Sequence, residues 1–202
     1  MRIVGGKHRG RRLLAPPGDN VRPTSDRARE ALFDILSHGR LAADGIPFAG
    51  AAVLDAFAGT GALGLEALSR GAAEVVFFER DPEALAILRR NVASLGESDR
   101  AEILACDATR PPRAGLRCAV AFLDPPYRSG LAATALEAIA AAGWLAEDAL
   151  AVIEVGAREE LVPPAGFAHL DGRVYGAARL VFLRREATFA LSSDTSGHGD
   201  PR

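Results

Sequence analysis

Cysteine is scarce in this sequence. The 202-residue chain has two, Cys106 and Cys118, each in or beside an apolar run and neither in a C-x-x-C pair. That argues against a disulfide framework or a zinc ribbon and predicts buried free thiols in a reducing compartment. His8, His38, His169 and His198 are scattered, so no metal or catalytic triad is expected. No uninterrupted apolar run reaches the ~18 residues of a membrane span. Met1-Arg2-Ile3-Val4-Gly5-Gly6-Lys7 lacks the apolar centre of a signal peptide. A cytoplasmic protein with no membrane partner is expected. Excess charge is missing too: Lys+Arg 24 against Asp+Glu 26 gives a net charge of −2. A nucleic-acid ligand must therefore be met by a local basic patch. Nearly all the basic residues are Arg, the better side chain for forked phosphate contacts.

What is present is an ordinary globular composition, 49% hydrophobic and 25% charged, enough for one domain with appendages. The most informative stretch runs from Val53 to Glu66. A short apolar run, Ala51 to Leu54, suits a buried strand, and a helical pattern begins at Leu63. Between them lies Gly59-Thr60-Gly61-Ala62-Leu63-Gly64. Gly59 and Gly61 remove the Cβ atoms that would keep a ligand from the backbone. The following helix N-terminus offers unpaired N–H groups to a polar ligand. The spacing alone fits any nucleotide-type turn.

Residues 1–20 form a short basic, glycine-rich arm. Ile3-Val4 and Leu13-Leu14 flank its centre, which predicts a small hairpin. Lys7, Arg9, Arg11 and Arg12 on it are candidate RNA-phosphate contacts. Residues 21–186 carry the main domain. Thr24, Ser25 and Asp26 are N-cap candidates for a helix whose apolar face is Ala28, Ala31, Leu32, Ile35 and Leu36. Val75 to Glu79 reads as a second strand, and Asp81-Pro82 starts a helix striped by Leu85, Leu88, Val92 and Leu95. Glu79, at that strand's end, is placed to accept both hydroxyls of a ribose. Further strands are expected at Ile103–Cys106, Ala119–Leu123 and Ala149–Val155. An alanine-rich helix spans Ala132 to Ala142, with Trp144 as core beneath it. Phe167–Tyr175 and Ala178–Leu183 read as an antiparallel pair around Gly176. Residues 187–202 lack periodicity and read as a disordered tail.

This alternation predicts an α/β fold: a Rossmann-like, doubly wound, mostly parallel sheet with a small basic N-terminal hairpin. Its ligand lies where strand order reverses, which makes the glycine loop face the loop Asp124-Pro125-Pro126-Tyr127.

The combination resembles the S-adenosylmethionine-dependent methyltransferases of exocyclic amino groups, which carry an Asp/Asn-Pro-Pro-aromatic motif after strand four. Met-Arg-Ile-Val-Gly-Gly at the start, the segments 22–33 and 55–72, and Phe-Leu-Asp-Pro-Pro-Tyr at 122–127 narrow the resemblance. They are similar to the bacterial 16S (small-subunit) ribosomal RNA guanine-N2 methyltransferases over residues 1 to about 185. The resemblance implies a class I methyltransferase fold, S-adenosylmethionine as cofactor and ribosomal RNA as partner, naked or in an assembling ribonucleoprotein, with the enzyme a monomer. It implies that Asp55, Phe57, Gly59 and Gly61 cradle the cofactor, with Arg22 and Thr24 approaching from the N-terminal helix. It places Glu79 at the ribose, Asp107 and Ala108 at the adenine, and Arg80 among the cofactor contacts. Asp124 and the Pro125 carbonyl would accept the amine's two N–H hydrogens. Tyr127 would stack on an unstacked base, a role that needs the ring and not the hydroxyl.

Other readings fit part of this pattern. An NAD-dependent oxidoreductase shares the glycine spacing, but gives Asp124-Pro125-Pro126-Tyr127 no role. A noncatalytic RNA-binding module has no use for Asp124. Within the enzyme class, the residues themselves leave adenine amines of DNA or RNA and protein glutamine open as substrates.

Overall fold

The computed structural model describes residues 1–16, 26–38 and 49–187. In chain order its elements are α1 (Asp26–His38), β1 (Ala52–Ala56), α2 (Ala62–Ser69), β2 (Glu74–Glu79), α3 (Pro82–Leu95), β3 (Ala101–Ala105), β4 (Cys118–Leu123), α4 (Leu131–Ala141), β5 (Leu145–Gly156), β6 (Phe167–Tyr175) and β7 (Ala178–Arg185). The strands form one sheet in the order β3-β2-β1-β4-β5-β7-β6. Strands β1 to β5 pair in parallel, and β7 inserts antiparallel between β5 and β6. The doubly wound sheet expected from the alternation is what forms, with the order reversing between β1 and β4.

The sheet is buried on both faces because its parallel strands carry apolar residues at successive positions. Leu32, Phe33, Leu65, Phe77, Leu88 and Phe122 fill one layer. Leu54, Phe78, Leu123, Leu136, Ile139 and Trp144 fill the other. Local chemistry sets the helix ends. Asp81 caps α3 by accepting the Ala84 N–H at 2.8 Å, Pro82 takes the first turn, and Gly96 stops the helix at φ 70°. In α1 the buried face includes Phe33, tilted on Phe122 at 5.5 Å, and Arg29, whereas Ala31 is only half-buried. Thr24 and Ser25 lie outside the described residues.

Two strands differ from expectation. β3 covers Ala101–Ala105, with Cys106 just beyond it. β5 starts at Leu145, well before the apolar run. Exposed Glu147 and Asp148 interrupt the pattern there, Asp148 is left-handed at φ 60°, and the pairing with β4 shifts register between Cys118 and Val120. Trp144 is core, as expected, edge-on to Phe78 at 5.1 Å, with its Nε1 donating to the Pro112 carbonyl at 2.8 Å.

The N-terminal segment closes on itself through an antiparallel bridge between Arg2 and Arg12, around a 3-10 turn at Gly6–His8. It is docked against the main body rather than standing off it. Ile3 and Leu13 are buried in the core. The Val4 and Gly5 N–H groups donate to Glu66 at 2.8 Å each, and the His8 N–H donates to Ser69 at 2.9 Å. Residues 188–202, most of the expected tail, lie outside the described residues.

Candidate active site

The carboxyl ends of β1, β2 and β4 open onto one cleft of about 600 Å³, lined by Asp55, Phe57, Gly59, Glu79, Arg80, Asp107, Ala108, Asp124, Pro125 and Tyr127 among others. The two loops singled out in the sequence therefore face each other.

The turn after β1 is tight. Phe57 sits at φ 62°, a left-handed conformation that is costly for a bulky side chain and persists only where its surroundings over-determine it. The three glycines then have different jobs. A Cβ on Gly59 would meet nothing within 4 Å, so its backbone opens onto ligand space. A Cβ on Gly61 would lie 2.3 Å from Leu88, at φ 85°. One on Gly64 would lie 2.3 Å from Phe77. Gly61 also starts the helix and leaves room for Leu88.

Asp55 is 1% exposed and accepts the Gly64 N–H at 2.8 Å. Burial pushes its carboxyl up to about 8, against the lowering effect of the Gly64 hydrogen bond and with a further push from Glu79. Glu79 accepts three backbone N–H groups: Gly59 at 2.7 Å, Arg80 at 2.7 Å and Asp81 at 2.8 Å. A carboxylate has about four acceptor positions, so these bonds fix its orientation and leave capacity facing the cleft. Arg80 pairs with Asp107 at 3.0 Å. Asp107 is held below the usual carboxylate range by the Thr109 N–H and hydroxyl, with Arg80 adding to the effect. Ala108 is buried beside it.

After β4, the Asp124 N–H reaches the Ala56 carbonyl of β1 at 3.4 Å, Pro125 is buried, and Tyr127 is 39% exposed. The Tyr127 hydroxyl donates to Glu154 of β5 at 2.5 Å. Glu154 also lines the cleft, and sequence reading missed it because it lies inside an apolar run. Cys106 lines the cleft as well. Of the two cysteines only Cys118 is fully buried, and burial pushes the Cys106 thiol up to about 11.

The N-terminal segment contributes to the same wall through Met1, Ala15 and Pro16. Asn91 of α3, fully buried, joins the two parts. Its amide donates to the carbonyls of Thr60 and Leu14 and accepts the Leu14 N–H. Arg22 and Thr24 lie outside the described residues. On the arm, Arg9 and Arg12 are exposed, Arg11 donates to the Ser94 carbonyl at 2.8 Å, and Lys7 is engaged by Glu97 at 2.7 Å. Among the described residues no group of His, Cys, Asp or Glu could hold a metal ion. None of their helices is long and apolar enough to cross a membrane.

Comparison with known proteins gives a consistent picture. The model of a family described as conserved hypothetical protein 95 matches residues 1–184. The chain is 35% identical over 195 residues to ribosomal RNA small subunit methyltransferase D of Escherichia coli K12, covering 96% of this chain and 94% of that one. It is 34% identical over 181 residues to the protein of that name from Haemophilus influenzae, covering 87% and 89%. The solved structure of yhhF from Escherichia coli superposes with a TM-score of 0.77 at 36% identity, over 93% of this chain and 98% of that one.

Proposed function

The chain belongs to the conserved hypothetical protein 95 family, and on that premise we propose that it methylates the exocyclic N2 amine of a guanine in 16S ribosomal RNA. It is an S-adenosylmethionine-dependent ribosomal RNA methyltransferase. The guanine, with position 966 as the candidate, is the finer part of the proposal, as is action in the cytoplasm on naked or assembling ribosomal RNA.

The observation that carries the reading is that Asp124 and Gly59 line one cleft from adjacent strands. The residues present fit the cofactor. Gly59 leaves backbone open to it, and the carboxylates of Glu79 and Asp107 on the same wall suit a cationic ligand. Asp55, Phe57, Gly59 and Glu79 would hold its methionine and ribose parts, and Arg80, Asp107 and Ala108 its adenine. When bound, S-adenosylmethionine supplies an electrophilic methyl group on a positively charged sulfur.

The chain's own residues deal with the amine. The lone pair of guanine N2 is delocalised into the ring, so the nitrogen is a poor nucleophile. Asp124 and the Pro125 carbonyl accept its two hydrogens, fix its orientation and stabilise the positive charge that grows on it. The two prolines stiffen the loop so that both acceptors converge. Tyr127 stacks on the base, which must leave its helix to reach the cleft. No strongly shifted pKa is required, because the nitrogen loses its proton only as it becomes cationic, and Asp124, which already accepts that hydrogen, takes the proton and releases it to water.

The test is methylation of 16S RNA, free and in small subunits, with labelled cofactor, followed by mapping of the modified nucleotide by mass spectrometry. Asp124→Ala should bind both ligands and lose about 10²–10³ in rate, and Asp124→Asn should lose less. A fully active Asp124→Ala enzyme, or a label on a base other than guanine, overturns the proposal.

A further inference from the structure

We propose that Glu154 is a positioning residue that acts through the hydroxyl of Tyr127, fixing the ring on which the target base stacks beside Asp124; this rests on the function proposed above. Three observations carry it. Pairing of Leu123 with Ile153 brings the next residues of each strand, Asp124 and Glu154, to the same level of the sheet. Glu154 is 6% exposed and yet lines the cleft, and its Oε1 accepts the phenol at 2.5 Å. The loop is tied to the same strand end a second time. The Arg128 N–H donates to Glu159 at 3.2 Å, and Glu159 also accepts the Gly156 N–H at 3.2 Å.

At the second tie the backbone turns left-handed at Arg128, φ 57°, a conformation that needs its neighbours to hold it. Stacking by itself asks only for an aromatic ring, and a phenylalanine supplies one. The short bond from a phenol to a carboxylate is of the charge-assisted kind. Such a bond at the far end of the side chain removes the ring's remaining freedom. The base then presents its amine to Asp124 in one geometry, and a misplacement of even about 1 Å there is costly in rate.

A double-variant cycle tests this. In single-turnover methylation at saturating cofactor and RNA, Tyr127→Phe and Glu154→Ala should each slow transfer about tenfold or more. The double variant should be no slower than the slower single one, with RNA and cofactor affinities held. Glu154→Gln, which still offers an acceptor oxygen, should recover most of the rate. Losses that multiply in the double variant, or full activity of Tyr127→Phe, overturn the inference. Trypsin gives a readout that needs no methyl transfer: cleavage after exposed Arg128 should quicken several-fold in Tyr127→Phe and hold steady in Glu154→Gln. Unchanged cleavage in Tyr127→Phe also overturns it, and does so even if Glu154→Ala fails to fold. A wild-type protein without methyl transfer would instead remove the proposed function and leave the tie to be judged by cleavage.

Discussion

The side-chain amide of Asn91 donates to the carbonyl of Thr60 at 3.0 Å, and the same side chain holds both backbone groups of Leu14. One buried residue thus couples the glycine loop to the N-terminal segment. Asn91→Leu keeps the volume and strands those backbone groups, at about 1–3 kcal/mol each where they stay buried. Cofactor affinity by calorimetry and the melting temperature should both fall. Unchanged affinity would mean that the loop keeps its shape without the arm.

The glycines should separate by substitution. Gly64→Ala drives a methyl into Phe77 and should destabilise the fold by about 1–3 kcal/mol. Gly59→Ala meets open space and should cost about 1–2 kcal/mol of left-handed strain, with a larger loss in cofactor binding. Denaturant unfolding beside cofactor titration distinguishes the two. Equal losses of affinity at similar stability would refute the division of roles.

Stability should depend on pH through Asp55. Its folded carboxyl sits at about 8, far above the ordinary value of 3.8, so the folded state holds the proton more tightly. The contribution is complete below about pH 4 and is lost as pH rises through about 8. Asp55→Asn has no such proton. The unfolding free energy of wild type relative to this variant should therefore fall between about pH 4 and pH 8 and level off above. A flat difference would show a carboxylate that is ionised throughout.

On the arm, the exposed Arg9 and Arg12 should matter more to RNA than Lys7, whose ammonium is already paired with buried Glu97. Replacing both arginines with Ala should lower the slope of log affinity against log salt by about two units. Lys7→Ala should change it less. An unaltered slope for the double variant would make the arm a structural element only.

The strand and helix pattern, the Asp81-Pro82 cap and the two facing loops were legible in the chain because each depends on neighbours a few residues away. Apolar periodicity follows from which face is buried, and a glycine or a proline restricts its own backbone. The family resemblance rested on those same local runs. Glu66, Asn91 and Glu154 were not legible as site or docking residues. Their partners, Gly5, Leu14 and Tyr127, are 61, 77 and 27 residues away. No local rule says which polar side chain will be enclosed and which backbone group it will then have to satisfy. The same holds for the contact of Gly61 with Leu88 on another helix, and for the start of β5, where pairing with β4 extends a strand through charged residues. Buried polar groups must find partners, and only the folded chain decides which partners are within reach.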